Sequence, residues 1–251
     1  MRAFRVACIL RADIHHDTTQ AVQLLSNPLL GRNFPYVHKI SAWPPTPGNV
    51  YELDFHLVRD MFPGKKSWSP NRFIYEGRWG NELIVVKFTR KYCPQLHHFC
   101  AEQGHAPKLL GYGAIPGGWH VVVMGAMGEE LDLKEYGPLY YNKWAMDLTK
   151  LVQGFHDEGL VHGDLRRANI TVFKEDPGQI ILFDFDWGGR DGEASFPTWL
   201  LNKDLTEEMK SLKITKEHDN RVLLKALDVL RSALPESEPV QCRRNHARNS
   251  N

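Results

Sequence analysis

The chain has 251 residues, of which 31 are Lys or Arg and 30 are Asp or Glu, so its formal net charge is +1 at pH 7. A chain of this length can bury one sizeable core or the cores of two small lobes. A charge so close to balance excludes a chain-wide attraction to nucleic acid or to a membrane surface. We therefore expect neither as a partner, and the partner has to be inferred from a site.

The cysteines and the N-terminus bear on the compartment. Cys8, Cys93, Cys100 and Cys242 include no C-x-x-C pair, which argues against both a disulfide scaffold and a zinc finger. Arginines interrupt the apolar part of the N-terminus, so it is a poor secretory signal, and no run approaches the roughly 18 apolar residues of a spanning helix. We expect a cytoplasmic protein, while a nuclear or mitochondrial location stays open.

Residues 1–48 are predicted to be an N-terminal extension, partly irregular, because prolines and glycines interrupt them repeatedly. Within this extension, residues 43–47 read Trp-Pro-Pro-Thr-Pro. Such a segment is either a stiff surface linker or a polyproline ligand for a partner, and the sequence favours the linker.

Five short runs of β-prone residues follow and predict an antiparallel sheet. These runs cover residues 55–58, 72–75, 83–88, 109–112 and 119–124. Lys87 stands inside the third run, among β-branched residues. Because a desolvated ammonium group is costly to bury without a partner, Lys87 either reaches water from the strand end or binds an anion.

A short helix is predicted between the third and fourth runs, over residues 93–103, with Gly104 at its end. Cys93, His97 and Cys100 fall on one face of this helix. They are either metal ligands or a stripe that faces the core. The stripe is favoured, because Cys is commonly buried and no second ligand group has the spacing of a zinc site.

The strongest helix signal covers residues 138–158, where apolar residues recur at helical spacing. The apolar stripe consists of Trp144, Leu148, Leu151, Val152 and Phe155. Gly159 is expected to end this helix. A last amphipathic helix is predicted over residues 216–234, and the polar, basic tail 235–251 is predicted to be disordered.

Between these helices lies a polar loop in which Asp164 and Asn169 stand five residues apart. The β-prone runs 170–173 and 180–183 follow, and Pro and Gly between them predict a hairpin. The hairpin would fold Asp184 back beside Asn169. Acids and an amide gathered at strand ends indicate metal and phosphate chemistry.

These residues resemble the motif set of protein kinases, H-R-D-L-x-x-x-N followed by D-F-G. His162, Asp164 and Asn169 stand in register with the first motif, and Asp184-Phe185-Asp186 with the second. The His-Gly-Asp and Asp-Phe-Asp variants are also similar to fungal-type kinase-like proteins and to aminoglycoside and choline kinases. Gly163 stands where the kinase motif has Arg, so no ion pair with a phosphorylated activation loop is expected there.

The resemblance implies an α+β, bilobal protein-kinase-like fold. Its N-lobe, residues 49–124, would be a five-stranded antiparallel sheet, and its reduced C-lobe, residues 125–234, would be mainly helical. Asp219 resembles the Asp that tethers the catalytic loop in kinases. The implied activity is transfer of the γ-phosphate of Mg-ATP to a hydroxyl-bearing substrate, either Ser or Thr of a protein or a small alcohol. A pseudokinase that binds nucleotide without turnover is the alternative.

The resemblance also assigns roles by position. Asp164 would accept the proton of the substrate hydroxyl, while Asn169 and Asp184 would hold Mg²⁺. Arg166 takes the place of a Lys that lies near the γ-phosphate. Lys87 corresponds to the strand Lys of V-A-I-K, which grips the α- and β-phosphates of ATP.

Further residues are expected around the nucleotide. Met124 and Ala126 belong to the hinge between the lobes, whose backbone would hydrogen-bond the adenine. Gly64, in a turn with two lysines, stands where the family has a glycine-rich loop, and the turn either covers phosphates or is merely solvated. Glu102 is the only acid of the 93–103 helix and is expected to pair with Lys87, as the family Glu does. No A-P-E motif follows, so a peptide platform is not predicted.

Overall fold

The computed structural model of the chain describes residues 40–45, 56–60, 73–197 and 211–232, with residues 56–60 described by their backbone alone. Most of the predicted extension, the turn around Gly64 and the tail 235–251 lie outside the described residues. Within the described residues, no helix combines the length and the apolar character that crossing a bilayer requires.

The N-lobe is an antiparallel sheet of five strands, whose spatial order is β1-β2-β3-β5-β4. The strands are β1 (His56–Asp60), β2 (Ile74–Trp79), β3 (Glu82–Thr89), β4 (Leu109–Ile115) and β5 (Trp119–Gly125). The predicted α+β, bilobal fold with an antiparallel sheet is confirmed. Strand β2 continues to Trp79, past the predicted end at residue 75. Its second half pairs with β3 but is only partly buried, so it lacks the apolar residues from which a strand is predicted.

Strand β3 explains how the sheet places Lys87. Successive side chains of a strand point to opposite faces, and those of β3 are buried on both faces from Ile84 onward. Ile84, Val86 and Phe88 pack in a cluster on one face. Val85 lies on the other face, in a cluster that includes Phe183 of the C-lobe. Lys87 is two residues after Val85 and therefore lies on the same face of the strand, so it points toward the C-lobe.

Part of the predicted N-terminal extension lies along β4. The Trp43 amide donates to the Leu110 carbonyl at 3.1 Å, and the Tyr112 amide donates to the Ser41 carbonyl at 3.1 Å. The Trp43 ring meets the Tyr112 ring edge to face, with 5.9 Å between centroids. The chain itself therefore holds this part of the extension, so Trp43 is not displayed as a free ligand for a partner.

Helix α1 (Pro94–Glu102) packs its inner face on the core. His97 and Cys100 are each 0% exposed, and Cys93 is 5% exposed. The two ring nitrogens of His97 lie 2.7 Å from the Tyr92 hydroxyl and 2.7 Å from the Pro107 carbonyl. The core-facing stripe is therefore the correct interpretation, and burial raises the pKa of both thiols above the ordinary value.

The C-lobe surrounds a long helix with short strands. Its elements are β6 (Glu130–Leu131), α2 (Leu133–Asp157), β7 (Leu160–Val161), a 3₁₀-helix (Arg167–Asn169), β8 (Ile170–Phe173), β9 (Asp176–Leu182), β10 (Gly189–Arg190) and α3 (Lys216–Ser232). Strands β6, β8 and β9 form one sheet, and β7 pairs with β10. Helix α2 begins before the predicted residue 138, because the Asp132 carboxylate caps it by accepting from the Lys134 amide at 3.0 Å.

The predicted apolar stripe of α2 forms the centre of the C-lobe core. Trp144, Leu148 and Phe155 are each 0% exposed, and they pack in one cluster with residues of the β8–β9 hairpin and of α3. Burying a side chain of this size stabilises the fold by about 1.5–3 kcal/mol. This core holds the polar loop after β7 between the hairpin and α3.

Candidate active site

The loop that carries Asp164 is tied to the first turn of α3 by Asp219. One carboxylate oxygen, Oδ2, accepts from the His162 amide at 2.6 Å, and the other, Oδ1, accepts from the Gly163 amide at 2.8 Å. Asp219 is 0% exposed. Bonds from amides to a buried carboxylate are stronger than neutral ones, so they fix the backbone just before Asp164. This is the tether that the resemblance predicts.

Gly163 is required at its place in this loop. Its φ is +80°, a left-handed conformation that favours glycine. A Cβ atom added there would lie 2.8 Å from Cδ1 of Ile214 and 3.2 Å from Cβ of Trp187. The loop can approach these two side chains only because residue 163 has no side chain of its own.

His162 joins the loop to the strand that leads to Asp184. Its Nε2 donates to the Phe183 carbonyl at 3.1 Å, and its Nδ1 accepts from the Asp164 amide at 3.1 Å. Since a carbonyl only accepts and an amide only donates, the ring is the neutral Nε2–H tautomer. Burial lowers the pKa of His162, which keeps it in this form.

Arg166 grips the carboxylate of Asp164. The guanidinium donates through Nε to Oδ1, and through Nη2 to Oδ2 at 2.8 Å. The Asp164 side chain is 4% exposed. A fork of two parallel hydrogen bonds fixes the orientation of a carboxylate as well as its position. The structure thus places the predicted base and the predicted phosphate-facing Arg in direct contact.

Asn169 has one side-chain oxygen without a partner. Its Nδ2 donates to the Asp164 carbonyl at 2.9 Å, whereas Oδ1 is buried and accepts no hydrogen bond within the described part of the chain. The Asn169 carbonyl accepts from the Phe183 amide at 2.9 Å. The next residue along, Asp184, has a φ of +65°. A left-handed φ at a residue other than Gly costs energy and is common at functional sites.

These groups fit a magnesium ion. A buried oxygen without a donor and a carboxylate at the neighbouring strand end are the hard ligands that Mg²⁺ prefers. No group of three or more His, Cys, Asp or Glu side chains that could hold a metal ion occurs in the described residues. Asn169 and Asp184 would therefore supply few ligands, which suits Mg²⁺, since it usually keeps water and phosphate oxygens in its shell.

Lys87 forms ion pairs with two carboxylates. Its Nζ lies 2.9 Å from Oδ1 of Asp184 and 2.5 Å from Oδ1 of Asp186, and its side chain is 1% exposed. Thr89 donates to the other oxygen of Asp186 at 3.1 Å. Burial raises the pKa of Asp186, an effect that the Lys87 charge opposes. The sequence predicts no contact of Asp186 with Lys87, although the Asp-Phe-Asp spacing was the available signal.

The predicted pairing of Glu102 with Lys87 is wrong. Glu102 is the last residue of α1, and it lines a cavity of about 510 Å³ together with Glu158 and Arg190. The inner face of α1 presents His97, Leu96 and Cys100 instead. Glu102 is exposed and stands two residues beyond the buried Cys100, so it lies on the outer face of the helix and does not face the strand lysine.

The predicted hinge residues lie beside the same site. Met124 packs with Val85 and Phe183 in the cluster between the lobes. The Ala126 amide donates to the Leu83 carbonyl at 3.3 Å, so it already has a partner within the chain. A cavity lined by Lys87, Met124 and Asp184, among others, has a volume of only about 10 Å³.

Comparison with known proteins identifies the fold. No protein-family model matches the sequence, and no curated protein matches it. Among solved structures, the kinase PK-1 of Cydia pomonella granulovirus matches with a TM-score of 0.53 and 12% identity, over 72% of this chain and 70% of that one. Vaccinia related kinase 3 matches with a TM-score of 0.49 and 15% identity, over 90% of this chain and 77% of that one. The similarity to PK-1, together with the two-lobed architecture, shows that the chain has a protein-kinase-like fold.

Proposed function

We propose that the chain is an ATP-dependent phosphotransferase, which moves the γ-phosphate of Mg-ATP to a hydroxyl acceptor. The unpartnered oxygen of Asn169 carries this proposal. A buried acceptor without a donor costs free energy, and a metal ion held between Asn169 and Asp184 would remove that cost. The same loop holds Asp164, so a metal ligand and a proton acceptor belong to one rigid unit.

Each residue then has one task. Mg²⁺, when bound, neutralises charge on the phosphates. Asp164 accepts the proton of the acceptor hydroxyl. Arg166 holds the Asp164 carboxylate until an anionic group competes for the Arg166 guanidinium. The guanidinium is then available to bind the phosphate. Lys87 supplies a buried positive charge for the phosphates, and Asp184, which contacts Lys87 in the structure, would be a ligand of the metal ion.

The acceptor that we propose is Ser or Thr of a protein. A pocket for a small alcohol, of the kind that aminoglycoside or choline kinases need, would use Asp186, Trp187 and Asp191. Asp186 is instead buried against Lys87, and Trp187 packs edge to face on Phe196. The Asp191 carboxylate is exposed and accepts from the Lys216 amide at 3.3 Å. Since the three side chains do not converge, they do not favour a small-molecule acceptor.

A nucleotide-binding pseudokinase is the second candidate, and the ion pairs of Lys87 with Asp184 and Asp186 favour it, because they occupy the lysine that would grip the phosphates. Lys87 and Asp184 would have to separate before phosphates could lie between them. A protein that opens only part of the way would bind nucleotide without transferring phosphate.

The test combines binding with transfer. The melting temperature is measured with and without Mg-ATP, and labelled γ-phosphate is followed into a protein panel and into a panel of small alcohols. We expect a higher melting temperature and label in protein, with no label in protein for Asp164→Asn. Stabilisation without consumption of ATP would support the pseudokinase, and label in small alcohols would support the other acceptor class. If the protein neither binds Mg-ATP nor transfers its phosphate, the proposal is overturned.

A further inference from the structure

We infer that Asp186 positions Lys87 for nucleotide binding, taking the place of an acidic residue on α1. This inference rests on the proposed function and adds to it a residue of the second motif. Asp184 is expected to turn to the metal ion, whereas Asp186 stays with the lysine. The three carboxylate contacts that support this division all come from β3 and from the segment after β9.

The burial of Lys87 makes a permanent counter-charge necessary. Its side chain is 1% exposed, and an ammonium group so far from water needs a carboxylate and hydrogen bonds to offset the loss of hydration. Asp184 and Asp186 both supply contacts in the present conformation. When a metal ion takes Asp184, only Asp186 of these two acids remains to hold the lysine.

Helix α1 offers no acid for this purpose. His97 is the inward-facing polar residue of α1, and its ring stacks on Phe185 with 4.7 Å between centroids. Burial lowers the pKa of His97 to about 3, so the ring carries no charge at neutral pH. Glu102 faces the separate cavity with Glu158 and Arg190. Among the contacts of the described residues, the carboxylates that pair with Lys87 are those of Asp184 and Asp186.

Strand β3 grips both oxygens of Asp186. Lys87 binds Oδ1 at 2.5 Å, and the Thr89 hydroxyl lies 3.1 Å from Oδ2 and 3.0 Å from the Lys91 carbonyl, so its one proton is shared between these two acceptors. The two β3 residues are two positions apart and therefore lie on the same face of the strand. Because both oxygens have a contact on β3, rotation of the Asp186 carboxylate away from the lysine is restricted. The alignment of Lys87 thus depends on the segment that carries Asp184, and not on where α1 lies.

The first arm of the experiment measures nucleotide binding. Asp186→Asn is expected to raise the Kd and KM for Mg-ATP by about 10- to 100-fold, which is typical of losing a residue that orients a ligand-binding group. Turnover at saturating Mg-ATP should fall much less, because Asp164 is untouched. Glu102→Gln is the matched control, since it neutralises the acid of α1, and it should leave Kd and KM unchanged. Equal effects of the two variants, or none of Asp186→Asn, would overturn the inference.

Thr89→Val provides a gentler variant in case Asp186→Asn does not fold. Val has nearly the shape of Thr, and this change removes the hydroxyl beside Oδ2 together with its contacts to the Lys91 backbone, while it leaves the Asp186 carboxylate in place. The Kd for Mg-ATP should rise in the same direction, by less than with Asp186→Asn. An unchanged Kd for Thr89→Val in a folded protein would count against the proposed role of Asp186.

The second arm needs no nucleotide. Urea unfolding is measured for Asp186→Asn in the natural protein and in the Lys87→Met background, as a double-mutant cycle. Asp186→Asn should lower the urea midpoint clearly in the natural protein and only slightly in the Lys87→Met background. Equal shifts would overturn the pairing. If the cycle shows coupling but the natural protein neither binds nor consumes Mg-ATP, then the proposed function fails while the pairing stands.

Discussion

The Asp219 carboxylate accepts a 2.8 Å hydrogen bond from the Gly163 amide, and this bond makes α3 and the loop before Asp164 one structural unit. Its second oxygen accepts from the His162 amide and lies 3.3 Å from Nε2 of His156. The consequence is that the stability of the loop depends on the charge of one buried side chain.

Asp219→Asn should therefore destabilise the protein and lower its activity. The amide has one accepting atom where the carboxylate has two, so an N–H of the loop loses its partner. A hydrogen bond to a charged group contributes about 1.5–3 kcal/mol, and we expect a loss of that order in the free energy of unfolding, measured in urea. Asp228→Asn, an exposed position of the same helix, is the control. Equal stability of the two variants would contradict the tether.

Gly163→Ala should be much more costly than Gly192→Ala. Both glycines have a left-handed φ, +80° and +71°, so Ala pays about 1–2 kcal/mol of backbone strain at either position. A Cβ at residue 163 would also lie 2.8 Å from Ile214. A Cβ at residue 192 would have no atom of the described residues within 4 Å, apart from those of its two neighbours in sequence. Crowding should add about 1–3 kcal/mol at residue 163. Urea midpoints of the two variants measure the difference, and equal midpoints would show that the loop can move away.

Asp164→Asn and Asp184→Asn should separate catalysis from binding. Loss of a positioned proton acceptor typically lowers turnover by about 10²–10⁴-fold, so Asp164→Asn should keep its affinity for Mg-nucleotide and lose turnover. Asp184→Asn should weaken the binding of Mg-nucleotide, because Mg²⁺ prefers a carboxylate to an amide. Titration calorimetry and steady-state rates check both expectations. A loss of turnover alone in both variants would contradict this division of roles.

Acid should destabilise the protein through His97. Burial lowers its pKa from 6.5 to about 3, so between these values the unfolded chain binds a proton that the folded protein does not. The free energy of unfolding therefore falls as the pH falls below about 6.5, by about 1.4 kcal/mol per pH unit for one such group. Urea unfolding between pH 4 and 7 measures the slope. His97→Gln should make it shallower, and an unchanged slope would exclude this cause.

Phosphorylation of the loop after Asp186 should not switch the activity. Gly163 has no side chain that could pair with an added phosphate, and Arg166, which bonds to Asp164, is proposed to serve the phosphate of the nucleotide. The Ser195 carbonyl accepts from Lys91 at 2.8 Å, a backbone contact that Ser195→Ala preserves. Phosphotransfer should be unchanged after phosphatase treatment and in Ser195→Ala and Thr198→Ala, where residue 198 lies outside the described part of the chain. A large loss in any of these would contradict the prediction.

The sequence predicts best where the signal is local. The β-branched residues of β3 and the apolar stripe of α2 locate the main elements, because burial repeats at the period of a strand or a helix. The spacing of Asp164 and Asn169 likewise fixes one loop, in which the Asn side chain bonds the Asp backbone. Neither prediction depends on contacts between residues that are far apart in the sequence.

The errors concern distant contacts. Glu102 was expected at Lys87 because it is the only acid of its helix, but the end of α1 and its rotation decide which side chains face β3. Asp186 reaches the lysine across 99 residues of sequence, a pairing for which spacing gives only a hint. The contact of residues 40–45 with β4 was missed for the same reason, since an irregular segment has no hydrophobic periodicity from which its packing could be predicted.

The contact between residues 40–45 and β4 also bears on solubility. Strand β4 is at the edge of the N-lobe sheet, and the extension pairs with it through Ser41 and Trp43. Unpaired amide and carbonyl groups at a sheet edge invite strands of other molecules to add to it. A shortened protein that begins at residue 49, the predicted start of the N-lobe, would expose this edge to edge-to-edge aggregation. The smallest well-behaved unit should therefore begin before Ile40.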